Sequence, residues 1–176
     1  MYNSCMSMFT HEKTLMILGY FLIPLCLLSS VCFFNETVNL TVILNMPGFW
    51  LTARLLCLAA YLVFCIEIRL IDPSLIRHAG WTGALTFACM SIPYGTNQVL
   101  DTLHVVFAYA ALACVHVLAI RSFRYHETLK TLIQIAFLTS AAICFVSGGV
   151  TSLAEATYGI ILSITLTNAA TKKKDH

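Results

Sequence analysis

"DTLHVVFAYAALACVHVLAIRSFR" spans Asp101 to Arg124, and its residues as far as Ile120 are almost wholly apolar. A run of that length matches the roughly 20 residues that a helix needs to cross the hydrocarbon core of a bilayer. Yet it opens with Asp101 and His104, one helical turn apart. In water both would be ordinary surface residues. In a bilayer each must face the interior of a bundle or find a partner, because hydrocarbon offers an ionisable group nothing.

The rest of the chain asks for the same solvent. Its 176 residues are 59% hydrophobic and 10% charged, with a mean hydropathy of +0.84. A soluble domain carries about 25% charged residues to wet its surface. Ten Lys plus Arg and eight Asp plus Glu cannot coat a globule of this size. Disorder is excluded by the apolar content, and a net charge of +2 gives no footing for nucleic acid. Of the eight cysteines, Cys26, Cys57, Cys65, Cys89, Cys114 and Cys144 fall inside apolar segments, Cys32 near a segment end and Cys5 in the N-terminal tail. With no CxxC pair among them, they read as small packing residues.

Six apolar spans are expected: Thr14–Phe34, Phe49–Ile68, Ala79–Val99, Asp101–Ile120, Thr128–Val146 and Val150–Thr167. The third is interrupted by Pro93, Gly95 and Asn97. The first is too long for the apolar core of a signal peptide and lacks a small-residue cleavage site, so it is expected to stay in the mature chain. Short connections make consecutive helices antiparallel neighbours. The expectation is an all-α, six-transmembrane-helix antiparallel bundle, one multi-pass domain over residues 1–176.

Basic residues set its orientation. Lys13, Arg69, Arg77, Arg121, Arg124, Lys130 and Lys172-Lys173-Lys174 all fall on one side of this threading, nine of the ten Lys and Arg. That side is read as cytoplasmic, and an even number of spans places both termini there. The tenth, Arg54, lies about five residues into the second span from the other face.

Four ionisable groups then share one depth beneath the non-cytoplasmic face: Arg54, Asp101, His104 and Glu155. They form the candidate polar pocket. Asp101 could instead cap the free N–H groups of its helix. Arg54 and Glu155 could be a structural pair tying the second span to the sixth. His104 could be an interior hydrogen-bonding histidine. A second set (Glu67, Arg69, Asp72, Arg77, His78, Arg121, Arg124, His126 and Glu127) lies on the cytoplasmic side and reads as a solvated belt at headgroup level.

Cofactor chemistry finds little footing. His104 and His116 share a helix about 18 Å apart in rise and cannot ligate one iron, leaving only His78 to face His116. Asp101, His104 and Glu155 could converge, but zinc sites favour histidine-rich sets and no HxxxH or HExxH is present. Neither metal nor cofactor is expected. Asn35-Glu36-Thr37 and Asn39-Leu40-Thr41 are glycosylation sequons on the non-cytoplasmic side, close to a helix end. The tail Lys173-Lys174-Asp175-His176 fits a dilysine retrieval signal. It points to the endoplasmic reticulum in a eukaryote, where the threading alone gives a plasma or inner membrane.

The order of features resembles the Frag/DRAM/Sfk-type membrane proteins and a related prokaryotic family of six-helix proteins. The resemblance runs from the second span onward. It is carried by Pro47-Gly48-Phe49, Ile92-Pro93-Tyr94, "LHVVFAYAAL" from Leu103 to Leu112, and "GVTSLAEATYGI" from Gly149 to Ile160. The first outer loop, "NETVNLTVILNMPG", lacks the acidic, Ser- and Pro-containing pattern of those families, so only His104 and Glu155 carry over. The resemblance implies the fold more than an activity. The expected role is lipid handling or a membrane scaffold, with membrane lipids and a protein in the bilayer as partners. A membrane hydrolase or transferase using His104 with a carboxylate is the alternative. A transporter and a haem electron carrier stand behind it.

Overall fold

The computed structural model of the chain describes residues 13–34, 48, 50–92, 96–124 and 126–172. Among them every regular element is helical. Helix α1 runs over 13–34 and contains a π-helical turn, Leu18–Leu22. Then come α2 (Trp50–Ile71), a 3-10 turn (Pro73–Leu75), α3 (Ile76–Ser91), α4 (Gln98–Ser122), α5 (Glu127–Ser147) and α6 (Ser152–Lys172). Four stretches, Lys13–Cys32, Leu51–Ile71, Gln98–Ser122 and Glu127–Ser147, are long and apolar enough to cross a membrane.

The breaks follow local chemistry. Asp72 ends α2, and its carboxylate accepts from the Ser74 backbone N–H at 3.0 Å while Pro73 opens the 3-10 turn. Helix α5 closes on Gly148, whose φ of 71° is left-handed and suited to glycine. Helix α4 starts with Asn97, whose side chain accepts from the Leu100 N–H at 3.0 Å. Asn97 is therefore the cap, and Asp101 stands in the first turn without that role. This corrects the capping expectation for Asp101: the helix begins a turn earlier than the apolar run does.

The third helix is also shorter than expected. It ends at Ser91, not Val99, with Ile92 extended at φ −87° and ψ 118°. The steric demand of Pro93 forces the residue before it out of the α region. Val99 belongs to α4.

Helix α6 is the hub. It packs most extensively on α5, then α1, and also on α2, while α3 packs on α4 and α2. Helix α1 thus lies mainly against α6, and not against its sequence neighbour α2 as expected. The 15-residue connection 35–49 leaves it that freedom. The central position explains why α6 falls outside the stretches apolar enough to span alone. Ser152, Ala154, Ala156, Ser163, Thr165, Thr167, Ala169 and Ala170 are buried against protein, not lipid. Small residues let backbones approach closely in a membrane, and a Cβ added to Gly159 would lie 2.8 Å from Leu27 of α1. Thr157, Thr165, Thr167 and Thr171 return their hydroxyls to carbonyls one turn back.

The apolar core gathers at one end. It holds Ile68, Ala79, Ala119, Phe123, Ile133, Ala136, Leu166 and Ala170, from the ends of α2, α4 and α6 and the starts of α3 and α5. Outside, Phe21, Leu25, Leu138, Phe145 and Val146 are strongly exposed. Such a surface suits hydrocarbon and would drive association in water.

Candidate functional site

At the end of the bundle opposite the core, α3 stops short and leaves carbonyls that its own helix does not satisfy. Two side chains from other helices take them. Arg54 of α2 donates from Nη2 to the Met90 carbonyl at 3.2 Å. His104 of α4, 2% exposed, holds Nδ1 2.9 Å from the Ile92 carbonyl. A carbonyl only accepts, so Nδ1 carries the hydrogen of this bond. The guanidinium also meets the negative end of the α3 dipole. The histidine in the opening stretch therefore closes the end of a neighbouring helix that Pro93 has cut off.

Cys89 lies beneath both contacts. Its Sγ is 3.7 Å from His104 Nε2 and 3.6 Å from the His104 carbonyl. Glu155, half-buried in the first turn of α6, lies within electrostatic range of the thiols of Cys57 on α2 and Cys89 on α3. Cys57 stands one turn beyond Arg54 on the same face of α2. Arg54, His104 and Glu155 thus converge from three helices on the last turn of a fourth. Asp101 is half-buried one turn before His104 and lines an open depression with Gln98, Thr102, Val105 and Val106. Arg54, His104 and Glu155 do not line that depression.

A second polar centre escaped the sequence reading. Sequence position groups Glu67 with the headgroup belt, yet it is 2% exposed. Its Oε1 lies 2.5 Å from the Thr167 hydroxyl of α6. The remaining residues of that set are exposed or half-buried as expected. The local signal was Pro24. The Ile23 N–H bonds the Leu18 carbonyl, five residues back, and Pro24 has no N–H to offer the Gly19 carbonyl. The π turn thereby strands that carbonyl, and Ser163 of α6 donates to it at 2.9 Å. Gly19 is required by space as well: an added Cβ would lie 1.8 Å from Thr167 Oγ1 and 3.1 Å from Glu67 Oε1.

Between the two centres, His116 Nδ1 lies 3.1 Å from the Tyr158 hydroxyl, and its ring stacks on Phe137 with centroids 4.3 Å apart. His78 is exposed at the start of α3. Among the described residues no three His, Cys, Asp or Glu side chains converge as a metal set, the trio Asp101, His104 and Glu155 included. The sequons at Asn35 and Asn39 and the tail Lys173-Lys174-Asp175-His176 lie outside the described residues, as does Pro93-Tyr94. No protein-family model, curated protein or solved structure matches the chain.

Proposed function

We propose that this chain is a six-span membrane bundle, both ends cytosolic, that binds lipid at a polar recess beneath the non-cytosolic face. The supporting observation is the meeting of Arg54, His104 and Glu155 around the shortened end of α3, with Asp101 one turn before His104 on an open face of α4. A guanidinium at the end of α3 and a carboxylate on the open face of α4 would suit a zwitterionic headgroup, its phosphate toward Arg54 and its amine toward Asp101. The remaining two spans are the short α3, which exposes Trp81 and Phe87, and the small-residue helix α6, much of it buried against its neighbours. The relation to Frag/DRAM/Sfk-type proteins belongs to this reading, on the residues from Leu103 to Leu112 and Gly149 to Ile160.

A scaffold role would use the same fold with a protein partner on its lipid-facing surface. The hydrolase or transferase reading has less support, because the ring of His104 is enclosed and its Nδ1 is committed to a carbonyl. Mass spectrometry of the protein released intact from detergent tests the proposal. The wild type is expected to retain a phospholipid, and Asp101→Asn to lose it while melting at the wild-type temperature. Equal retention by both, or none by either, overturns the reading.

A further inference from the structure

The centre at Glu67 contains more acceptors than hydrogens. Thr167 Oγ1 lies 2.5 Å from Glu67 Oε1 and 2.9 Å from the Ser163 carbonyl. A threonine hydroxyl has one hydrogen, and the carbonyl only accepts. If Glu67 were ionised, both neighbours would compete for that single hydrogen. The Ser163 hydroxyl offers none, since it is committed to the Gly19 carbonyl stranded by the π turn.

No cation among the described residues relieves the deficit. Helix α1 presents buried Gly19 and Leu15 to this site, and its charged end, Lys13, is exposed. On α6 the facing groups are Thr167 and Ser163, with Lys172 exposed beyond them. Along α2, the residues one turn from Glu67 are Val63, Phe64, Leu70 and Ile71, all apolar, while Arg69 is exposed on another face. No charged group among the described residues acts on the carboxyl. An anion buried in a membrane bundle with no counter-charge and half a hydrogen bond is the most costly state open to it.

We propose that Glu67 is a proton-binding site, occupied as the neutral acid in this geometry, and that its proton holds α1 against α6. With the carboxyl protonated the count closes. The protonated Glu67 donates to Thr167 Oγ1, the single Thr167 hydrogen goes to the Ser163 carbonyl, and Ser163 keeps Gly19. Release of the proton leaves a charge against the π turn of α1, at the point where that helix touches both α2 and α6. The site is separate from the recess at the opposite end and does not depend on lipid binding there.

Infrared spectroscopy of the full chain in phosphatidylcholine vesicles tests the site, together with melting at a series of pH values. The wild type is expected to show a protonated carboxylic acid stretch at neutral pH that Glu67→Gln removes. Raising the pH should bleach that band and lower the melting temperature by several degrees. Glu67→Gln, whose amide is uncharged and can still donate to Thr167, should melt at a temperature that pH leaves unchanged. Thr167→Ser retains the hydroxyl and serves if the glutamine variant does not fold; it should keep the band at a shifted frequency. A wild type lacking the band, a band that survives Glu67→Gln or is unmoved in Thr167→Ser, or stability that rises with sodium in place of protons overturns the proposal.

Discussion

Replacing Gly19 by alanine is the sharpest probe of how α1 docks. On an open helix the change would stabilise by up to about 1 kcal/mol, because glycine is the poorer helix former. Here the new methyl would lie 1.8 Å from Thr167 Oγ1 and 2.9 Å from Thr167 Cβ. Reaching ordinary contact near 3.5 Å requires α1 to retreat by roughly 1.5 Å. That movement strains a packed seam, at about 1–3 kcal/mol. It also lengthens the bond from Ser163 to the Gly19 carbonyl, where a polar contact in a membrane bundle contributes about 0.6 kcal/mol. The clash outweighs the propensity gain, and a net loss of about 1–3 kcal/mol is expected. Reversible denaturation in bicelles would measure it. A cycle with Thr167→Ala adds the decisive check. Removing the hydroxyl should harm the wild type yet relieve the Gly19→Ala variant, giving a coupling of at least about 1 kcal/mol. A Gly19→Ala protein as stable as wild type, or two changes that simply add, would refute the close approach of α1 to α6.

Other consequences follow from single contacts. Gly83→Ala should destabilise by about 1–3 kcal/mol, because its Cβ would fall 2.3 Å from Tyr61 Cζ; thermal melting in detergent reads it. Asn97→Ala removes the cap of α4 and should cost about 0.5–2 kcal/mol, whereas Asp101→Ala should not show a cap's loss; hydrogen exchange of the first α4 amides separates them. Gly148→Ala forces a side chain into the left-handed region and should cost about 1 kcal/mol in the same melting assay. Lys130→Ala breaks a pair whose acid is 81% exposed, and a change beyond about 0.5 kcal/mol would be unexpected.

What the sequence made legible is local. Proline, glycine and short polar runs mark where most helices stop, so α2, α4 and α5 end within a few residues of the apolar runs that announce them. Pro93 carried the same signal for α3, but the apolar residues beyond it extended the expected span past a break that pre-proline sterics make unavoidable. Arg54, His104 and Glu155 were legible as polar groups at one depth; their shared target was not, because the carbonyls of Met90 and Ile92 have no signature in side-chain identity. Glu67 was misplaced because its neighbours Arg69 and Asp72 belong to the interface, and a charge four residues from a helix end can face either water or core. The pairings at this site join residues 144 and 100 positions apart in sequence, Gly19 with Ser163 and Glu67 with Thr167, and such pairings are set by tertiary packing alone. The small and hydroxyl residues of α6 were a usable sign of a central helix, since a helix so poor in large apolar groups gains more from protein neighbours than from lipid.

The threading fixes which leaflet the polar cluster faces, and the two chain ends test it most directly. A reporter that is active only in the cytosol, fused in turn to the N-terminus and to the C-terminus, should give signal at both. A signal from one end alone would mean an odd number of crossings, and the recess, its depth and its facing leaflet would all have to be abandoned.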